Sequence, residues 1–73
     1  MKQLFYVVEK QLNDVDGFEE TNGWKTITVY KIEDNQPKQV CEFEAHNSDN
    51  SIEEIQTWLD NNNDETEYEF IQL

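Results

Sequence analysis

Glu42 and Glu44 stand two residues apart, and Glu67 and Glu69 repeat that spacing near the end of the chain. On a β-strand such a pair projects from one face, with side chains about 6.7 Å apart. Regularly placed carboxylates on a rigid scaffold can stand where nucleic-acid phosphates would, and so attract surfaces rich in lysine and arginine. The same residue types invite metal chemistry. Asp60-Asn61-Asn62-Asn63-Asp64 supplies oxygen ligands at positions 1, 3 and 5 of an EF-hand loop. Glu65 then falls where the sharp turn needs glycine, and Ile71 where a bidentate glutamate is needed. A second oxygen-rich stretch, Asp14-Val15-Asp16-Gly17 with Glu19 and Glu20, has the composition of an ordinary turn. No metal site and no cofactor is expected.

Catalysis has less to build on. His46 is the single histidine and sits in a polar stretch, His46-Asn47-Ser48-Asp49-Asn50. Cys41 shares a strand face with Phe43 and reads as a small core residue, not as an activated thiolate. Ser48 and Ser51 suit the start of a helix better than a nucleophile's place. Two carboxylates working as acid and base need a cleft that desolvates one of them. Gly17 and Gly23 are the only glycines, too few for a phosphate-cradling loop. A non-enzymatic role is expected.

These side chains must be positioned by few elements. Residues 3–12, rich in aromatic and β-branched types, predict a strand with Phe5 and Val7 on one face. Leu4, Tyr6, Val8 and Leu12 take the other. Residues 13–17 predict a turn, followed by a long connection through Asn22. Residues 24–32 alternate cleanly, Trp24, Thr26, Thr28, Tyr30 and Ile32 against Lys25, Ile27, Val29 and Lys31. Pro37 closes the break at 33–37, and residues 38–45 predict a third strand, Cys41 and Phe43 against Val40, Glu42 and Glu44. Ser51 and Glu54 have capping-box spacing, and Ile52, Ile55 and Leu59 recur at helical spacing with Trp58 alongside. The helix is expected to end near Asp60, before the asparagine run. Residues 67–73 predict a last strand.

The expected fold is one α+β domain over residues 1–73, in the order βββαβ, with a four-stranded sheet and one helix on one face. A crossover that returns the last strand beside the first gives spatial order 4-1-2-3. With Phe5, Ile27, Val29, Cys41 and Phe43 under the helix, Tyr6, Trp24, Tyr30 and Tyr68 would line the opposite face.

The chain has 73 residues, 17 acids, 5 lysines and no arginine, a formal charge of −12. That charge disfavours direct contact with nucleic acid or an anionic membrane. No apolar run approaches the roughly 20 residues of a bilayer span, and the first ten residues lack a signal peptide's apolar stretch. A lone cysteine fits a reducing, cytoplasmic setting. Aromatics at 12% and periodic apolar spacing argue for folding despite the charge.

The charge is polarised. Residues 1–40 pair 5 lysines with 7 acids, whereas residues 41–73 hold 10 acids and no lysine. The plain account is a solvated surface that keeps a small protein soluble. The functional account is a protein-binding module whose acids, Glu42, Glu44, Glu53, Glu54, Glu67 and Glu69, meet a basic protein partner. Its most concrete form is nucleic-acid mimicry against a DNA- or RNA-processing enzyme, and the composition is akin to that of small phage- or plasmid-encoded inhibitors. No motif identifies a family. The alternative is a homo-oligomeric or accessory domain using the aromatics Tyr6, Trp24, Tyr30 and Tyr68, with the acids serving solubility. Monomer and homodimer both remain open on these grounds.

Overall fold

Strand-forming residues extend further than their alternation alone suggests. The computed structural model describes residues 1–15 and 18–73, with residues 14, 15 and 18–21 described by backbone only. Strand β1 covers Lys2–Val15, β2 Phe18–Glu33 and β3 Gln36–His46; helix α1 covers Ser51–Asn61 and β4 Tyr68–Gln72. The order is the expected βββαβ. One sheet results, β3-β2-β1-β4, with antiparallel β1–β2 and β2–β3 pairs and with β4 parallel to β1. This is 4-1-2-3 read from the other edge.

The long connection expected between the first two strands is instead a ribbon. Leu12–Val15 pair with Phe18–Thr21, beyond the reach of β3, which stops at the Trp24–His46 pair. The molecule is accordingly elongated, 46 × 25 × 17 Å. Asn13, Asp14 and Val15, expected in a turn, belong to β1, while Asp16 and Gly17 lie outside the described residues, as do the side chains of the expected oxygen-rich stretch. Where the ribbon joins the sheet, Gln11 alone on β1 faces three residues on β2, Asn22 to Trp24. Gly23 takes φ +87° at this bulge, a left-handed conformation that an L side chain would strain. The Asn22 side-chain oxygen accepts from Trp24 N–H at 3.0 Å, and the Gly23 carbonyl accepts from Asn47 N–H at 2.9 Å.

Asp34 and Asn35 form the two-residue turn between β2 and β3, both with positive φ (54° and 62°). Asp and Asn tolerate that conformation, whose hand matches the twist of the strands it joins. Pro37 therefore lies within β3, opposite Ile32, and not in a break before it. An edge strand can accept a residue without an N–H.

The helix is capped one residue earlier than the Ser51–Glu54 spacing suggests. Asn50 holds extended backbone, and its Oδ1 accepts from Glu53 N–H at 3.1 Å. Glu53 and Glu54 occupy the first turn, where their charge complements the helix dipole. At the other end Asn63 turns left-handed (φ 58°). Asp64 N–H returns to the Leu59 carbonyl and Asn63 N–H to that of Asp60, a Schellman closure.

Leu4 and Tyr6 of β1, Ile27 and Val29 of β2, Cys41 and Ala45 of β3, and Ile55 and Leu59 of α1 form the core. Val8, Phe43, Trp58, Tyr68 and Phe70 pack around it. Val40 also packs here, away from Glu42, because a bulge in β3 opposite Val29 and Tyr30 shifts its phase. Ile52, expected in the buried stripe, is 40% exposed at the start of the helix.

Two of the four aromatics expected on the open face are on the covered one. Tyr6 pairs with Val29 and is 6% exposed, and Tyr68 lies two residues from Phe70, which pairs with core Leu4. Phe5 takes the open side in their place, opposite Tyr30. The cause is registry. Strand β1 alternates as expected, but its even-numbered residues share the face of the odd-numbered Ile27 and Val29.

Candidate functional site

Cross-strand registry lays out the uncovered face as rows. Glu69 lies beside Gln3. In the next row Ile71, Phe5, Tyr30 and Gln39 run across all four strands. The third row places Val7, Thr28 and Glu42 together, and the fourth Glu9, Thr26 and Glu44. The Thr28 hydroxyl approaches Glu42 Oε2 at 3.5 Å, and Gln11 Nε2 donates to the Thr26 hydroxyl at 3.3 Å. Trp24 and His46 end the face as a stacked pair, ring centroids 3.9 Å apart. An apolar stripe of Ile71, Phe5, Tyr30 and Val7 is thus bordered by carboxylates at both ends. All four stripe residues are half-buried by their neighbours on the sheet.

The lysines are absent from this face. Lys2 and Lys10 share the β1 phase of Leu4 and Tyr6, and Lys25 and Lys31 share the β2 phase of Ile27 and Val29. Lys38 pairs directly with Lys31. All five lysines therefore take the helix side of the sheet. Lys25 is 6% exposed and its Nζ donates to the Asp49 carbonyl, tying β2 to the segment that delivers the Asn50 cap. Lys31 pairs with Glu33 at 3.1 Å in the open, where such a bridge is worth little. On the uncovered face Glu9, Glu42, Glu44 and Glu69 have no lysine among them.

The six acids singled out by spacing do not form one patch. Glu42, Glu44 and Glu69 share the open face, while Glu53 and Glu54 sit on α1, across the sheet from them. Glu67 is exposed just before β4. Glu9 joins the open-face set although it has no carboxylate partner two residues away. What brings it there is its alignment with Thr26 and Glu44, a long-range relation that residue spacing does not display.

No family model, curated protein or solved structure matches the chain.

Elsewhere the chemistry is sparse. Among the described residues no group of three or more His, Cys, Asp or Glu side chains could hold a metal ion. Asp60 and Asp64, the ends of the EF-like stretch, are engaged separately: Asp60 accepts from Gln56, and Asp64 from Thr66 N–H and the Tyr68 hydroxyl. The Thr66 bond above all, and then that from Tyr68, hold the Asp64 carboxyl below the usual carboxylate range. Tyr68 is pushed up, first by burial and then by its bond to Asp64. These two border a cavity of about 510 Å³ at the C-terminal end of α1, shared with Lys2, Lys31, Val40 and Leu59. Cys41 is buried, and loss of water pushes its thiol up to about 11. The neutral thiol dominates at ordinary pH, which deprives it of nucleophilic character. No helix among the described residues is long and apolar enough to cross a membrane.

Proposed function

We propose that this protein is a non-enzymatic binding module that presents an acidic sheet face to a basic protein partner. The observation that supports this reading is the sorting of charge by side. Every lysine takes the helix side, and the open face holds Glu9, Glu42, Glu44 and Glu69 unneutralised. A purely solubilising charge would not need every lysine to be kept off one face of the sheet, when the helix side holds both signs. Such a face accelerates encounter with a cationic surface and repels phosphate. Nucleic-acid mimicry against a DNA- or RNA-processing enzyme is the specific form favoured here, because such enzymes present the required lysine- and arginine-rich grooves. The unpaired, buried Cys41 fits a reducing, cytoplasmic setting.

Capture of partners from lysate at low and high salt, by the native protein and by E42K/E44K, tests the reading. The native protein should retain a basic protein at low salt, and duplex DNA should displace it. Association of the reversed-charge protein with that partner should be at least about tenfold slower and less dependent on salt. Equal capture by both proteins overturns the role of this face. Capture that DNA does not displace overturns mimicry alone.

A further inference from the structure

From the apolar stripe between these carboxylates we infer that the open face seats a lysine- or arginine-rich amphipathic helix of the partner. This rests on the protein-binding reading and makes it specific. A sheet with a helix on one face leaves the other to solvent, and that other face is normally polar. Here Ile71, Phe5 and Tyr30 lie side by side on three adjacent strands, with Val7 in the next row. Two strand spacings make the stripe about 9.6 Å wide, close to the roughly 10 Å diameter of a helix with its side chains.

The covered face shows what such a seat accepts. There α1 buries Ile55 and Leu59, one helical turn apart, against Leu4, Tyr6, Ile27 and Val29. A helix with apolar residues at the same spacing would meet Phe5, Tyr30 and Ile71, and cations flanking them would reach Glu69 at one end and Glu9, Glu42 and Glu44 at the other. Charge selects the occupant. A second copy of this chain would oppose its own carboxylates to these with no lysine on either surface. Its own α1 is already seated and has no basic residue in its last turn. Nucleic acid and anionic lipid are repelled outright.

The test uses the full chain and two synthetic peptides of identical leucine and lysine content. One has its leucines at i, i+3, i+4 and i+7; the other has the same residues scrambled so that no apolar face forms. Binding is measured by titration calorimetry, and backbone amide shifts locate the contact. The amphipathic peptide should bind at least about tenfold tighter than the scrambled one, the worth of one well-buried aromatic contact. Shifts should cluster on Phe5, Val7, Tyr30 and Ile71. Tyr30→Ser should bring its affinity down to that of the scrambled peptide, and Ile71→Ser, at the sheet edge, provides the same reading should the first variant unfold.

Equal affinity for the two peptides, or shifts confined to α1, overturns the inference. If E42K/E44K weakens both peptides alike while the apolar variants change nothing, the helix seat fails and the acidic-surface reading stands. If E42K/E44K leaves both unchanged, the charge reading itself fails. A salt-resistant dimer that buries this stripe overturns both in favour of self-association.

Discussion

The two faces of one four-stranded sheet are built to different rules. On the helix side, Ile27 and Val29 reach zero exposure and the neighbouring cations are held close, Lys25 on a backbone carbonyl and Lys31 on Glu33. On the open side, Phe5, Val7, Tyr30 and Ile71 are only half-buried, and the surrounding charge is of one sign. The first face completes the fold. The second has apolar surface that the fold leaves half-exposed and carboxylates with no lysine beside them. Like charges gathered on a face that also exposes apolar side chains cost stability and keep that face soluble. That combination supports the proposed role as a surface for a cationic partner.

Truncation in the two layers breaks or sustains the contrast with the largest effect. Ile27→Ala removes a fully buried side chain between sheet and helix, and should cost about 3 kcal/mol in urea unfolding. Phe5→Ala removes a larger side chain from the open face, where less of its surface has left water, and should cost about 1 kcal/mol. Equal losses would mean that the open face is structural, with no apolar surface to spare for a partner.

Cys41 reports how dry the covered face is. Its thiol rises from 9.0 to about 11 through desolvation. At pH 8 the folded protein should therefore hold about one hundredth of the thiolate of the unfolded chain and be alkylated by iodoacetamide about a hundredfold more slowly. The raised value also fixes a sign. The folded state binds this proton more tightly, so the stabilisation is complete below pH 9 and is lost as pH rises from 9 to about 11. Alkylation as fast as in urea would mean that water reaches the covered face and that the two faces differ less than their exposure implies.

Much of this contrast was legible in the chain, and the part that was not has a definite cause. The alternation of Trp24 to Ile32 and of Cys41 to Glu44 gives the side of those residues in β2 and β3 correctly relative to their strand neighbours, and the helix, the last strand and the strand order follow from periodicity and crossover geometry. Failure came where phase had to pass from one strand to the next. Whether Phe5 or Tyr6 joins Ile27 depends on the number of residues through the ribbon and its bulge at Asn22–Trp24, and no local pattern counts them. The same limit hid Glu9 from the acidic face, whereas Val40 parts from Glu42 because of the bulge within β3. Residues 46–50 offer several possible caps and Ser51 has capping-box spacing to Glu54, but the extended backbone required of a cap falls on Asn50.

The smallest expected effect has the sharpest sign. Glu42 and Glu44 lie about 6.7 Å apart, and two such charges repel by about 0.6 kcal/mol at the dielectric constant of water. Glu53 and Glu54 carry the same charge at the positive end of α1, where each is worth about 0.3–1 kcal/mol of stability. Neutralising the two pairs should therefore move stability in opposite directions at low ionic strength. E42Q/E44Q should raise the melting temperature slightly, the loss of the long Thr28 contact being minor at 3.5 Å. E53Q/E54Q should lower it. Raising ionic strength from about 0.01 to 0.15 M shortens the Debye length from about 30 to 8 Å and should shrink both differences, stabilising the native protein as it does so. Shifts of the same sign would mean that the open-face carboxylates are already neutralised within the chain, leaving no unspent charge for a cationic helix to meet.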